Sequence, residues 1–243
     1  MCTVSIFPQE KHLKSFVLSF NRDEAIERQT YPPKKDNVNG CEMLFPKDAV
    51  AGGTWLGVSE HKRLVGIMNG EFKAHKRNPP YRKSRGVVVK EFLAAEDVKM
   101  YAENYDFEGI EPFTMLCVDW SSDLIIIEIV WDAKRLHVKN IPLKPRIWSS
   151  SPLYNSAMKE QRVNWFNDFR NATETTSEIT AEAIWDFHHK AGIGDSEIDL
   201  IVDRGFLKTQ SISQIEISEK RKQFKYEELS TGKITTIDLE DLV

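Results

Sequence analysis

The order of the predicted elements places the chain in the α+β class, with layered sheets and not a doubly wound parallel sheet. Strand patterns come first, helical patterns cluster later in the chain, and strand patterns return at the end. In a doubly wound fold, strands and helices would alternate. The apolar run Leu124-Ile125-Ile126-Ile127 is typical of a strand that is covered on both faces. The chain contains no linker-like composition and no repeat of roughly 20–50 residues, so we expect a single domain over residues 1–243.

Two strand patterns open the chain. Residues 3–7 and 15–20 are rich in β-branched and aromatic side chains, and the short connection between them predicts a hairpin. Asn21-Arg22-Asp23-Glu24 follows at the end of the second strand, and a polar loop continues through Pro32-Pro33. We therefore expect the start of the chain to lie next to the Asn-Arg-Asp-Glu segment.

The remaining elements follow from periodicity and turn residues. Gly52 and Gly53 permit a turn before a strand. Residues 63–68 predict a strand that ends at the turn dipeptide Asn69-Gly70, and residues 84–95 predict a helix that begins at Ser84. Further strands are expected at residues 113–119, 124–131, 137–143 and 209–217, helices at 156–171 and 180–191, and a last hairpin around 230–232.

Composition excludes several classes of partner. The formal net charge is -4, and no cluster of basic residues is interleaved with aromatic ones, so we predict no nucleic-acid binding. Three scattered cysteines do not form a disulfide framework and indicate a reducing compartment. The N-terminus lacks the pattern of a signal peptide, and no apolar stretch approaches the roughly 20 residues that span a bilayer. We expect a cytoplasmic protein that does not span a membrane.

The most basic segment, residues 73–85, allows two interpretations. It is either a solvated loop or a surface that attracts an anionic substrate. The histidines, by contrast, predict no metal site, because the consecutive His188 and His189 point to different sides of a helix. No cysteine or histidine stands at the spacing of zinc ligands. We therefore predict neither a metal nor a cofactor.

Cys2 is the most informative residue of the chain. Methionine aminopeptidase removes an initiator Met when the next side chain is small, and the mature chain would then begin with a thiol beside a free α-amine. The amine can take the thiol proton, directly or through one water, as in N-terminal-threonine catalysis. The alternative is that Cys2 is only a small residue in the first strand, and from its position alone both interpretations stay open.

Arg22 and Asp23 are the next candidates for chemistry. If the first two strands pair, both residues fall near the end of the strand that begins at Cys2. A carboxylate there can hold an α-ammonium, and a guanidinium can lower the pKa of a thiol or bind a substrate carbonyl. The alternative for Asn-Arg-Asp-Glu is a charged turn that closes a strand.

Together these segments resemble a known family. Cys2, Asn21-Arg22-Asp23-Glu24, Ala51-Gly52-Gly53-Thr54-Trp55-Leu56-Gly57 and Ser84-Arg85-Gly86 resemble the NRDE family, also called the Transport and Golgi organisation 2 family. Weaker echoes follow at Ser149-Ser150-Ser151-Pro152-Leu153-Tyr154 and at Thr209-Gln210-Ser211. The family is similar to N-terminal-nucleophile hydrolases of the choloylglycine hydrolase and penicillin V acylase type. The resemblance implies a four-layer αββα sandwich and cleavage of non-peptide amide bonds by an N-terminal Cys.

The resemblance also assigns candidate site residues. Cys2 would be the nucleophile and, through its amine, the general base, with Arg22 and Asp23 flanking it. These two are adjacent here, whereas the hydrolases separate them by two residues. Asn69 would supply an oxyanion-hole amide, which is typically worth about 2.7–4 kcal/mol, or it serves only the turn before Gly70. Ser150 or Ser151 stands where the hydrolases carry a later Asn, just before a Pro.

Substrate contacts complete the predicted site. Gly53, Thr54 and Trp55 would line a pocket, or they form a turn anchored by a buried indole. Asn21 and Ser150 are further candidates for substrate binding.

Two functions follow from these residues and the resemblance. The first is a hydrolase or acyltransferase that acts on a non-peptide amide or thioester through Cys2. The second is a carrier of a hydrophobic ligand, such as haem or an acyl lipid, on the same fold. In both the partner is a small molecule, and the oligomeric state is not predicted.

Overall fold

The computed structural model describes residues 2–9, 14–174 and 179–243. The strands are β1 (Cys2–Pro8), β2 (Phe16–Ala25), β3 (Thr30–Val38), β4 (Cys41–Asp48), β5 (Leu56–Ser59), β6 (Arg63–Asn69), β7 (Phe113–Asp119), β8 (Ile125–Trp131), β9 (Leu136–Ile141), β10 (Arg146–Ser149), β11 (Leu207–Ile217), β12 (Lys222–Glu228) and β13 (Lys233–Asp238). The helices are α1 (Arg85–Ala94), α2 (Val98–Asn104), α3 (Ser156–Glu174) and α4 (Ala181–Lys190). The chain divides into two compact units, Met1–Glu27 with Lys144–Asp238 and Arg28–Leu143 with Leu239–Val243.

The first unit is built on a six-stranded sheet with two helices. Its strand order is β10-β1-β2-β11-β12-β13, and every pair is antiparallel. All seven residues of β1 are buried, since the strand has a hydrogen-bonded neighbour on each side. One face of the sheet packs against α3 and α4. The apolar side chains buried at this face are Phe7, Val17, Ile147, Phe166, Ala181, Ile184, Phe187 and Leu200.

The second unit is a meander of seven strands with α1 and α2. The sheet follows chain order from β3 to β9, and all of its pairs are antiparallel. Helix α1 lies against β5 and β6 and buries Val88, Val89, Phe92 and Leu93. Within the described residues, no helix is both long and apolar enough to cross a membrane.

Most of the predicted elements are confirmed. The strands at residues 3–7, 63–68, 113–119, 124–131, 137–143 and 209–217, the three helices and the last hairpin all occur, with ends shifted by a few residues. Strand β4, helix α2 and strand β10 have no counterpart in the prediction. In the predicted connection between the first two strands, residues 10–13 lie outside the described residues. The single domain over residues 1–243 stays a prediction.

One predicted loop and one predicted strand end are wrong. Residues 30–38, which contain Pro32-Pro33, form the edge strand β3, whose pairing with β4 is interrupted between Tyr31 and Lys34. An edge strand tolerates proline at such an irregularity because no ladder N–H is needed there. Asn21-Arg22-Asp23-Glu24 lies inside β2 and does not follow it, because β1 and β11 pair with this segment from both sides.

Two of the motif glycines make one close contact in the second unit. The N–H of Thr54 donates to the carbonyl of Gly86 over 3.1 Å. A Cβ on Gly53 would lie 2.6 Å from the carbonyl carbon of Gly86, and a Cβ on Gly86 would lie 2.8 Å from the nitrogen of Thr54. The Gly-Gly-Thr-Trp and Ser-Arg-Gly segments therefore pack backbone to backbone, which glycine permits.

We expect Gly86→Ala to lower the free energy of unfolding by about 1–3 kcal/mol, the usual cost of forcing an extra carbon into a packed contact. Helix propensity alone predicts the opposite sign, because Ala is favoured over Gly in a helix by up to about 1 kcal/mol. Urea unfolding measures the change. Ser84→Ala is the matched control, since Ser84 is exposed and its side chain makes no cap hydrogen bond. A more stable Gly86→Ala protein would contradict the close contact.

Candidate active site

Cys2 is the first residue of β1, and its side chain is only 3% exposed. It lies directly opposite Arg22 in the antiparallel pair of β1 and β2. Arg22 in turn lies opposite Ser211 of β11. Directly opposed residues of antiparallel strands share a face of the sheet. The thiol, the guanidinium and the Ser211 hydroxyl therefore form a row on the face that points away from α3 and α4.

Ser150 contacts the main chain of Cys2. The N–H of Cys2 donates to the Ser150 hydroxyl oxygen over 3.1 Å, and the N–H of Ser150 donates to the Cys2 carbonyl over 2.9 Å. Strand β10 places Ser150 there, because Ser149 pairs with Thr3 and the chain then continues past the head of β1. The predicted site residue Ser150 thus lies at the nitrogen of Cys2.

The charges around the Cys2 thiol act in opposite directions. Burial is the largest influence and raises the pKa of the Cys2 thiol; the Asp23 carboxylate raises this pKa further, whereas the Arg22 guanidinium lowers it. Arg22 is itself buried, and its Nη2 lies 3.8 Å from Oε2 of Glu24. A desolvated thiol next to one guanidinium is neutral until a base takes its proton.

Asp23 points to the opposite face from Arg22, where two hydroxyl groups hold its carboxylate. The Tyr154 O–H donates to Oδ2 over 2.6 Å, and the Thr209 O–H donates to Oδ1 over 2.8 Å. The carboxyl is fully buried. Burial raises the pKa of Asp23, and the positive charge of Arg162 together with the Tyr154 and Thr209 hydrogen bonds opposes this rise.

Arg162 is a fully buried cation behind β1. It lies on α3 and donates from Nε to the carbonyl of Ile198 over 2.9 Å. Its two terminal nitrogens donate to the Thr3 hydroxyl and to the Asp199 carbonyl. The guanidinium carbon lies 3.5 Å from the centroid of the Tyr154 ring, the geometry of a cation–π contact.

The Asn of the motif serves the contact between the sheet and α4. The Asn21 amide N–H groups donate to the carbonyls of His188 and Leu200 over 3.1 and 2.8 Å. Its Oδ1 lies 2.7 Å from Nδ1 of His188, and Nε2 of His188 lies 2.7 Å from the Ser5 hydroxyl oxygen. Burial lowers the pKa of His188 to about 3, so its ring is neutral, donates from Nδ1 to Asn21 and accepts from Ser5 at Nε2.

This Ser5–His188–Asn21 arrangement has the distances of a catalytic triad, but all three side chains are 0% exposed. A substrate carbonyl has no access to the Ser5 hydroxyl, and we therefore assign the arrangement to packing. Substrate binding by Asn21 stays a prediction.

The other predicted site residues belong to the second unit. Asn69 is the last residue of β6, opposite Phe113, and is followed by Gly70 with φ of 81°. The Thr54 hydroxyl donates to the Leu56 carbonyl over 2.8 Å, and the Trp55 side chain is 7% exposed. The functions assigned to Asn69, Gly53, Thr54 and Trp55 rest on the family resemblance and stay predictions.

Tyr154, Thr209 and Arg162, which surround Asp23, are not among the predicted site residues. Tyr154 and Thr209 lie in the two segments that echo the family, so a signal for them was present. Arg162 carried none, because an Arg in a helical pattern is normally exposed to solvent. The described part of the chain contains no group of three or more His, Cys, Asp or Glu side chains placed to hold a metal ion.

Comparison with known proteins identifies relatives. The family model described as Transport and Golgi organisation 2 matches residues 1–227. The Transport and Golgi organization 2 homolog of Mus musculus is 28% identical over 123 residues, which cover 47% of this chain and 42% of that protein. The Transport and Golgi organization protein 2 homolog of Bos taurus is 27% identical over 124 residues, which cover 48% and 43%. The match therefore spans less than half the length of these curated relatives.

Solved structures show the fold. A variant of conjugated bile acid hydrolase from Clostridium perfringens has a TM-score of 0.63 at 10% identity, with 100% of this chain and 94% of that chain covered. Penicillin V acylase from Agrobacterium tumefaciens has a TM-score of 0.58 at 11% identity, with 98% and 86% covered. The Caenorhabditis elegans ortholog of N-acylethanolamine-hydrolyzing acid amidase has a TM-score of 0.56 at 8% identity, with 88% of this chain and 92% of that chain covered. The predicted α+β fold of the N-terminal-nucleophile hydrolase type is confirmed.

The neutral His188 predicts a specific dependence of stability on pH. Its pKa is about 3 in the folded protein and 6.5 in its ordinary state, so between these values only the unfolded chain binds the proton. Stability is then complete above pH 6.5 and is lost as the pH falls. Between pH 7.5 and 5.5 we expect His188 to contribute a loss of about 1.4 kcal/mol in the free energy of unfolding.

Urea unfolding of His188→Gln at both pH values measures this contribution. The variant is less stable at pH 7.5 but should lose about 1.4 kcal/mol less than the wild-type protein on acidification. Equal losses in wild type and His188→Gln would contradict a neutral buried imidazole.

Proposed function

Because the chain belongs to the Transport and Golgi organisation 2 family, we propose that it is an N-terminal-nucleophile hydrolase or acyltransferase. Its substrate would be a small molecule with a non-peptide amide or a thioester, and Cys2 would be the nucleophile. The observation that carries this proposal is the position of Cys2, which lies buried at the head of β1 opposite Arg22, with the Ser150 hydroxyl at its nitrogen.

The proposed reaction begins with removal of Met1, which turns the nitrogen of Cys2 into a primary amine. This amine takes the thiol proton, and the thiolate attacks the substrate carbonyl to form a tetrahedral intermediate. Collapse of the intermediate breaks the amide C–N bond or the thioester C–S bond, the α-ammonium protonates the leaving group, and the acyl group stays on Cys2 as a thioester. Water, or another acceptor, then attacks the thioester and regenerates the thiol.

Ser150 and Arg22 have separate tasks in this scheme. The Ser150 hydroxyl oxygen lies 3.1 Å from the nitrogen of Cys2, so it can accept from the amine and aim its lone pair at the thiol. The Arg22 guanidinium shares the face of the thiol and lowers the cost of forming a thiolate there. Burial raises the pKa of the Cys2 thiol, which makes an adjacent base necessary at neutral pH.

The same raised pKa supports a second candidate function. A buried, protonated thiol is a small apolar group, and it suits a cavity that holds a hydrophobic ligand such as haem or an acyl lipid without reacting. In that case the chain is a non-catalytic carrier on a hydrolase fold. We place either activity in the cytoplasm, since all three cysteines are free thiols.

The hydrolase proposal predicts covalent labelling at Cys2. We expect purified protein to lack the mass of Met1 and to gain one acyl group from a thiol-reactive acyl probe, with peptide mapping that places the group on Cys2. Cys2→Ala should abolish this labelling. Intact-mass spectrometry, followed by digestion, gives both results.

Cys117→Ala is the matched control, because Cys117 is also fully buried and burial raises its pKa to about 12. It should leave the labelling of Cys2 unchanged. Protein that retains Met1 and still hydrolyses an amide would rule out this mechanism. A stable complex with haem or lipid that Cys2→Ala does not weaken, together with no labelling, would favour the carrier.

A further inference from the structure

A buried cation, an aromatic ring and a carboxylate contact one another in succession beside the strand that begins at Cys2. Arg162 is 0% exposed and contacts the face of the Tyr154 ring, and the hydroxyl of that ring donates to Asp23. Asp23 follows Arg22, the strand partner of Cys2. We propose that Arg162, acting across the Tyr154 ring, holds the Asp23 carboxylate in its ionised form, and that Arg162 and Tyr154 are thereby positioning residues for Cys2.

The hydrogen bonds at Asp23 support an ionised carboxylate. Each of its oxygens accepts from a hydroxyl group, Oδ2 from Tyr154 and Oδ1 from Thr209. The Thr209 oxygen accepts from the N–H of Val202, and its one hydrogen is directed at Asp23 over 2.8 Å, since the other acceptor, the Leu200 carbonyl, is 3.5 Å away. A protonated carboxyl would have to donate from one of its oxygens. Two hydroxyl groups that each donate one hydrogen therefore match an ionised carboxylate better than a protonated carboxyl group.

Burial alone would neutralise this carboxylate. Desolvation of a fully buried carboxyl raises its pKa, and for Asp23 this is the largest influence. The strongest opposing influence is the positive charge of Arg162, ahead of the Tyr154 hydrogen bond. The guanidinium lies on the face of the Tyr154 ring, and the hydroxyl of that ring donates to Asp23. In the described part of the chain, no carboxylate forms an ion pair with Arg162. Asp23 is therefore the counter-charge of Arg162.

Arg162 is also tied to the nucleophile strand. One terminal nitrogen donates to the hydroxyl of Thr3, the residue after Cys2. The other terminal nitrogen donates to the carbonyl of Asp199 and Nε donates to that of Ile198, so the guanidinium cannot turn away from β1. One side chain of α3 thus fixes the strand that begins at Cys2 and the charge state of Asp23. In the proposed reaction, which this inference rests on, the negative charge of an ionised Asp23 stabilises the α-ammonium that forms when the amine takes the thiol proton.

The test is the titration of Asp23 by NMR of protein labelled with carbon-13 in the aspartate carboxyl groups. The Asp23 signal is assigned by its absence from Asp23→Asn. In Tyr154→Phe, which keeps the ring under Arg162 and removes the hydroxyl, we expect the midpoint of Asp23 to rise by about one pH unit or more. Arg162→Met should raise it further, and Arg162→Lys, which keeps the charge, should raise it less than Arg162→Met.

The matched control is Tyr105→Phe in the second unit. Tyr105 also donates its hydroxyl to a carboxylate, that of Glu91, and this variant should leave the titration of Asp23 unchanged. A folded Tyr154→Phe protein in which Asp23 is as ionised as in wild type, at every pH at which both are folded, would overturn the inference even if its thermal stability has fallen. If Arg162→Met does not fold, Tyr154→Phe still decides.

Failure of this inference is distinguishable from failure of the proposed function. Covalent labelling of wild-type Cys2 with an unmoved Asp23 midpoint overturns only the positioning by Arg162 and Tyr154. Absence of labelling together with a shifted midpoint overturns the hydrolase proposal and the catalytic purpose of the cluster, and leaves an electrostatic link that is purely structural.

Discussion

The central constraint in the first unit is that β1, which begins at Cys2, is paired on both sides within a sheet. Strand β1 is hydrogen-bonded on one side to β10 and on the other to β2, and each of its residues is buried. At the head of this strand the main-chain groups of Cys2 are satisfied by Ser150, whose hydroxyl oxygen accepts from the Cys2 N–H and whose N–H donates to the Cys2 carbonyl. Pairing on both sides therefore fixes the position of the nucleophile candidate.

The same constraint explains the composition of the Asn-Arg-Asp-Glu segment. It lies in β2, so its side chains alternate between the two faces of the sheet. Asn21 and Asp23 point towards the helices, where one binds the main chain of α4 and the other accepts from Tyr154 and Thr209. Arg22 and Glu24 point the other way, beside Cys2. A four-residue motif thus supplies buried hydrogen bonds on one face of the sheet and charged side chains beside Cys2 on the other.

The sequence predicts this arrangement in part, and the limits have physical causes. Local patterns suffice for the hairpin of β1 and β2 and for the proximity of Arg22 to Cys2, since both depend on short connections. The strand around Pro32-Pro33 is not predicted because proline normally interrupts strands. The two prolines are tolerated only because this strand lies at the edge of the sheet. The burial of Arg162 is not predicted because the neighbouring sequence of a buried Arg in a helix does not differ from that of a solvated one. Its partners are Thr3, far upstream, and Asp199, far downstream, and only the tertiary fold brings them together.

The buried charges of Arg162 and Asp23 cost stability, which favours a functional reason for their presence. Removing a carboxylate and a guanidinium from water costs several kcal/mol for each ion, and replacing such groups by packed apolar side chains is often neutral or stabilising. Arg162 and Asp23 are both fully buried and are joined only across the Tyr154 ring, so their attraction is weaker than that of a direct ion pair. As a stabilising device this is a poor arrangement, because the hydrophobic core beside it would hold α3 to the sheet without charge. As a way of keeping a negative charge next to the strand partner of Cys2 in a dry interior, it is effective. A site that stabilises a transient ammonium would require such a buried negative charge, and the loss of stability would follow from that requirement.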